Sequence, residues 1–364
     1  MKIKKSKSQI YLLIAVLMVS VLVLSSCGLV NENKNTLAVV DCVGRTVLIP
    51  EQAQKIAALD PFAGQALIML GYGDKMVATV GGVQRDLLLQ YMSPTLADAV
   101  IVKESGSMNA EAVLSLGVDL IFVSSDMHFS NAERQKLDKV GIPYLVIEYF
   151  TMEEQCEALR VIGNAISAQA EAEAYVEYYL RAIEEVSAVT ATIPDDIKPS
   201  LYHSVSEAVI TDAAGSFGAD WIAVVGAKNV SLHTDLLASG KNYSTTLEQI
   251  FVWDPDLIIC NETGVSDYIM GSSRWLGLRA VREGRVYQIP IGVSRMGHPN
   301  SIETPLAIRW LAELLYPDYF PDFDFKEELR VFYQQFFDYE IDDATIDKII
   351  DGEGIRAPGT GSSE

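Results

Sequence analysis

Apolar and polar positions repeat in the same order in the two halves of this chain. Residues 111–123 read Glu-Ala-Val-Leu-Ser-Leu-Gly-Val-Asp-Leu-Ile-Phe-Val, and residues 248–260 read Glu-Gln-Ile-Phe-Val-Trp-Asp-Pro-Asp-Leu-Ile-Ile-Cys. The copies align without a gap, Glu111 on Glu248 and Asp119 on Asp256. Each predicts a short amphipathic helix, a polar turn and a continuous apolar run, the pattern of a parallel strand buried on both faces. One such unit per half predicts two α/β lobes of related design with a ligand cleft between them.

The rest of the pattern fits that frame. Residues 39–50 predict a hairpin around Gly44 and Arg45, followed by strands at 56–59, 76–80, 120–123 and 144–147. Helices are expected at 63–70, 111–116, 131–140 and 153–166. A break near Ser167 precedes a long helix over 168–189, with a stripe of Ala172, Tyr175, Val176, Tyr179, Leu180, Ile183 and Val186. The second half restarts with a strand at 200–205 and a helix ending near Val225. The second repeat, a strand at 286–289, a helix at 302–315 and a helical tail over 325–350 follow. The fold class expected is α/β: two Rossmann-like lobes with mainly parallel sheets, joined by a long rigid helix.

The ends are read separately. Lys2, Lys4, Lys5 and Lys7 precede an apolar core at 10–24 that is short for a bilayer span, which needs about 20 apolar residues. Leu24-Ser25-Ser26-Cys27 resembles a bacterial lipobox, making Cys27 the lipid-modified first residue of the mature chain. The expected organisation is a leader (1–26), a lipid-anchored tether (27–36), an N-terminal lobe (37–166), a connecting helix (167–190), a C-terminal lobe (191–351) and a disordered tail (352–364). Removing the four leader lysines takes the net charge from −21 to −25. So acidic a chain lacks the basic face that nucleic acid requires, and lipid rather than surface charge would hold it at a membrane. Cys42, Cys156 and Cys260 form no metal motif, and a Cys42–Cys156 bridge stays open.

Several stretches, in order, resemble the substrate-binding lipoproteins of ABC importers for iron–siderophore, heme and cobalamin. They are Asp41-Cys42-Val43-Gly44-Arg45, Leu70-Gly71-Tyr72-Gly73-Asp74, Asn109-Ala110-Glu111, Val225-Gly226-Ala227-Lys228-Asn229, Gly284-Arg285-Val286-Tyr287 and Trp310-Leu311-Ala312-Glu313-Leu314-Leu315-Tyr316-Pro317. The resemblance implies a non-enzymatic, extracytoplasmic monomer without intrinsic cofactor. It implies partnership with permease subunits and their ATPase, and a metal-chelate cargo. A ferric siderophore ranks first, with heme, cobalamin and molybdate open. It further implies that Glu111 and Glu248 dock on permease arginines, which suits carboxylates at helix starts.

Ligands of open α/β sheets sit beyond the carboxyl ends of strands, which nominates loops. The candidate ligand contacts are Phe62, Arg85, Met127, His128, Tyr202, Ser216, Arg295 and His298. Arg295 offers a planar fork for an anionic chelate, and His298 a nitrogen for a metal left open by its chelator. A bare metal ion fits less well, because the chain's four histidines, His128, His203, His233 and His298, are scattered. Two other functions compete. Ala214-Gly215-Ser216-Phe217-Gly218 is one residue from the nucleophile elbow of a serine hydrolase. A surface adhesin on the same fold is the other.

Overall fold

The computed structural model describes residues 35–355, apart from 240–241. The leader, Cys27, nearly all of the tether and the tail from 356 onward lie outside the described residues.

An antiparallel hairpin, Thr36–Val40 with Thr46–Pro50, opens the chain. Its turn explains the Asp41-to-Arg45 motif. The Asp41 carboxylate accepts the Arg45 backbone N–H (2.9 Å) and guanidinium (2.8 Å), and the Val146 N–H at 3.1 Å. Arg45 in turn covers the Tyr144 ring at 4.2 Å, so the hairpin is pinned to an edge strand of the first lobe.

That lobe holds a six-stranded sheet, ordered Ser107–Met108, Val100–Glu104, Met76–Val80, Ile56–Ala58, Leu120–Ser124, Tyr144–Ile147. All neighbours are parallel except the Ser107–Met108 edge. The second lobe holds a parallel four-stranded sheet, ordered Lys228–Asn229, Ser200–Ser204, Leu257–Cys260, Val286–Gln288. A small antiparallel sheet of Ile210–Thr211, Asn242–Ser244 and Leu237–Ser239 flanks it.

The repeat is structural as well as sequential. The helices Ala110–Leu116 and Leu247–Trp253 are both capped by a side chain, Asn109 and Thr246, and both end on a left-handed residue, Gly117 and Asp254. The strand that follows pairs in parallel with the first strand of its own lobe: Leu120 lies opposite Ile56, and Leu257 opposite Leu201. The paired aspartates fasten that contact. Asp119 accepts the backbone N–H groups of Gln54 (2.9 Å) and Lys55 (3.1 Å), and Asp256 that of Ser200 (2.7 Å).

The long helix is Gln169–Thr190, reached through Ser167 at φ +62°. It packs against Met152–Ile166 and Thr304–Leu315. The expected stripe is shifted. Leu180 is 44% exposed, while Tyr178 is buried because a third neighbour, Phe325–Phe337, lies against it, with Phe336 5.1 Å from its ring. The helical tail is two helices, Phe325–Phe337 and Asp343–Ile350, broken at Asp338 (φ +49°). Residues 352–355 continue from the last helix. Leu87 in the first lobe donates its N–H to the Ile355 carbonyl at 3.1 Å, so this stretch lies against the first lobe. Cys42, Cys156 and Cys260 are free thiols, which removes the Cys42–Cys156 bridge.

Candidate functional site

In each sheet, chain order reverses beside the strand that starts the lobe. The crevice at such a switch point is where open α/β sheets bind ligands. In the first lobe it lies between the ends of Ile56–Ala58 and Leu120–Ser124, and in the second between Ser200–Ser204 and Leu257–Cys260. The two lobes touch beside these crevices. Tyr149, just past Tyr144–Ile147, touches Phe62 below it (ring centroids 5.1 Å) and Phe217 of the other lobe (6.0 Å). Gln65 accepts the Ile302 N–H (3.3 Å), and Gln155 donates to the Pro299 carbonyl (2.9 Å), tying the lobes at the base of the cleft.

The first-lobe wall centres on Asp60 and Lys103. Asp60 caps Pro61–Met69 by accepting the Ala63 N–H at 3.0 Å, and burial pushes its carboxyl up to about 6. The Lys103 ammonium leaves Val100–Glu104 and crosses the strand ends to donate to the Leu59 carbonyl and the Ser124 hydroxyl, both at 3.1 Å. A cation therefore stands over the middle of the sheet edge.

The second-lobe wall carries an ion pair between Arg295 and Glu262. Half-buried His298 lies beside them. Its Nδ1 accepts the Asn300 N–H at 3.2 Å, so the neutral ring carries its proton on Nε2. Burial, the Arg295 charge and His203 push its pKa down to about 3, which keeps the ring neutral. Beneath, Asp212 gathers His203 Nδ1 (2.8 Å), the Asn229 amide (3.0 Å) and the Ser216 hydroxyl (3.3 Å). The Val225-to-Asn229 motif thus delivers Asn229 to this network.

The loop from 293 to 303 is held by a second buried carboxylate. Glu303, fully buried, accepts the N–H groups of Val293 (3.2 Å) and Ser294 (3.0 Å) and the Tyr333 hydroxyl. Burial lifts it to about 7.

The structure sorts the expected contacts. Arg295 and His298 stand together on the second-lobe wall. Arg85 is exposed at the end of Gly81–Gln84, which follows directly on the end of Met76–Val80. Phe62 is fully buried and backs Tyr149 instead of facing the cleft. Tyr202 is turned to the opposite sheet face, where its hydroxyl donates to the Ala208 carbonyl at 3.0 Å. Met127 is buried in the first lobe's outer core. His128 bonds Tyr144, at the far end of its strand from the cleft, at 3.1 Å. Ser216 caps the helix Phe217–Val224 and donates to Asp212 rather than to a histidine, so no nucleophile–base pair forms there. Gly218 is required because a side chain would strike the Asp212 carboxylate, which accounts for the elbow-like Gly-Ser run without catalysis. No group of three or more potential metal-ligating side chains occurs among the described residues.

Lys103 was not among the expected contacts, because the strand that carries it was not; a lysine closing the apolar run Val100-Ile101-Val102 was the available signal. Glu111 and Glu248 are both exposed second residues of their helices. A cavity of about 660 Å³ lies beside Glu248 rather than between the lobes, lined by Glu207, Thr246, Thr263, Tyr268 and Trp275 among others.

The sequence pattern of the family described as periplasmic binding protein matches residues 56–291. The chain belongs to this family. It is a binding protein, not an enzyme, and an extracytoplasmic substrate-binding component of an ABC importer. Among similar periplasmic binding proteins, the ABC transporter substrate-binding lipoprotein YvrC of Bacillus subtilis is 26% identical over 325 residues, spanning 85% of this chain and 98% of YvrC. The molybdate-binding protein MolA of Haemophilus influenzae is 21% identical over 342 residues, covering 86% of this chain and 95% of MolA. A periplasmic solute binding protein of Veillonella parvula, solved by crystallography, superposes with a TM-score of 0.75 at 24% identity, covering 87% of this chain and 97% of that one. The two-lobed, mainly parallel α/β architecture is that of the family.

Proposed function

We propose that the cargo is an anionic, oxygen-rich metal species, with a ferric siderophore as the first reading. One observation carries it: Lys103 and Arg295 bring a cation from each lobe to the sheet edges that face the cleft. Ferric catecholates and carboxylates present clustered anionic oxygens, which a guanidinium fork and an ammonium both complement. Neutral cargo would draw nothing from either charge.

A second reading is an oxyanion of the molybdate type. The molybdate-binding relative MolA supports it, as does the neutral His298 donor beside Arg295. Glu111 and Glu248 then serve as docking carboxylates toward arginines of the permease, and lipid on Cys27 retains the receptor at the membrane.

The test is titration of the chain, in detergent, with ferric catecholates, ferric hydroxamates, heme, cobalamin and molybdate, followed by tryptophan fluorescence and checked by calorimetry. Trp221 is buried beside His203 on the second-lobe wall (ring centroids 5.9 Å) and reports that wall. Saturable submicromolar binding of an anionic member supports the reading. Preference for cobalamin, or no binding at all, overturns it.

A further inference from the structure

Below the Arg295–Glu262 pair, the second-lobe wall contains buried polar atoms that the protein leaves unmatched. The Trp221 indole N–H, both amide atoms of Asn261 and His203 Nε2 have no hydrogen-bond partner among the described residues. All three residues are at most 1% exposed. They lie together. His203 faces Ile259 across the parallel strand pair, and Asn261 is two residues further on, so its side chain rises from the same sheet face one step nearer the cleft. The Trp221 ring stands edge-on to His203. Gly297, at φ +73°, lets the 295–298 loop lie directly on that indole, where a Cβ would fall 2.7 Å from the ring. Buried polar groups are nearly always satisfied, so a cluster of this kind points to an oxygen-bearing occupant.

Glu262 follows Asn261 directly and holds Arg295 at the mouth of this cluster. Its side chain is 43% exposed and that of Arg295 22%, so the pair is open to solvent. A carboxylate on the arginine is chemically what an anionic cargo oxygen would be.

We propose that Glu262 is a built-in stand-in for the cargo's anionic group: it occupies Arg295 until that group displaces it, and the displaced position opens onto the Trp221 and Asn261 donors beneath. This rests on the anionic-cargo reading above and deepens it. The cargo must then present at least two oxygens, one for the guanidinium and one for the buried donors. The site also rejects weak anions, because each must outcompete a tethered carboxylate.

Calorimetry on the chain in detergent compares the wild type with Glu262→Gln, Glu262→Asp and Trp221→Phe, using molybdate and a ferric catecholate as anionic probes and a neutral ferric hydroxamate as control. Glu262→Gln should bind the anionic probe that the wild type binds about fivefold more tightly, that is ~1 kcal/mol, with no gain for the neutral control. Glu262→Asp keeps the competing charge and should stay near wild type. Trp221→Phe keeps an aromatic ring but loses the N–H, and should weaken the anionic probe about fivefold. Equal or weaker anion binding by Glu262→Gln overturns the stand-in role while the anionic-cargo reading survives. Absence of anion binding by wild type and variants alike overturns both.

Discussion

The Asp256 carboxylate accepts both the backbone N–H and the hydroxyl of Ser200, each at 2.7 Å, and Asp256 returns its own N–H to the Ser200 carbonyl at 2.9 Å. Asp119 and Lys55 repeat the backbone part of this clasp in the first lobe, at 3.1 and 2.9 Å. Burial alone would raise the Asp256 carboxyl, but its two Ser200 bonds and the Arg279 charge outweigh that and hold it below its ordinary range. Replacing either aspartate with alanine should cost about 1–3 kcal/mol, because the N–H groups at the strand entry lose their acceptor. Chemical denaturation of Asp119→Ala and Asp256→Ala measures this. A loss under 0.5 kcal/mol (roughly the range of neutral surface changes) in both would mean that water replaces the clasp.

How much of this was legible in the chain follows from the range of the interactions. The paired repeats, the hairpin and the long helix rest on local periodicity and turn residues, and they lie within three residues of expectation. The strand Val100–Glu104 was missed because it nears the sheet edge, with Val100 40% exposed, and so lacks a long apolar run. Lys103 was missed with it. Glu303 reads locally as an ordinary acid in the first turn of a helix, and only the fold brings Tyr333 to it from a distant segment. Tyr202 was misplaced for a related reason: being near a strand end does not fix which sheet face a side chain takes. In a parallel strand both faces are apolar, so alternation carries no signal.

Docking through the two lobes predicts a separation of binding from transport. Glu111 and Glu248 hold the same helix position, are exposed, and lie outside the cleft. Glu111→Ala combined with Glu248→Ala should reduce cargo uptake by cells at least tenfold, with the dissociation constant of the receptor unchanged within a factor of two (about 0.4 kcal/mol). A matching loss of affinity would assign the glutamates to the site instead.

Lipid attachment predicts a fractionation result. With Cys27→Ser, the mature protein should move from the membrane to the soluble fraction, because the acidic chain carries no polybasic surface of its own. Retention of the variant at the membrane would show that the apolar leader stays in place as an anchor.

The two cations make separate predictions for cargo binding. Arg295→Ala should weaken an anionic cargo at least tenfold, about 1.4 kcal/mol. Lys103→Met should weaken it less, since an ammonium is a point charge that offers no bidentate fork for a carboxylate or catecholate. Both losses should shrink at high salt if the cations act through their charge. Isothermal titration at two ionic strengths checks this, and salt-independent losses would point to shape rather than charge.

Glu303 predicts how stability depends on pH. Its carboxyl is fully buried between Val293, Ser294 and Tyr333, with the Tyr175 hydroxyl nearby on the Ile302 carbonyl. Burial outweighs the hydrogen bonds and raises it from 4.5 to about 7. Between those values the folded chain holds a proton that the unfolded chain has released, so stability falls as pH rises through that window and is level above it. The full effect is about 3 kcal/mol. Asp60, raised to about 6 by burial, slopes the same way, so wild-type data alone do not isolate Glu303. Glu303→Gln does: its amide oxygen still accepts from Val293 or Ser294, but no charge is buried. Urea denaturation at pH 5 and pH 8 should show a drop in the wild type that is smaller in Glu303→Gln by a few kcal/mol, leaving the Asp60 share. Equal drops in the two proteins would mean that Glu303 ionises without penalty, its charge met by the donors of the 293–303 loop.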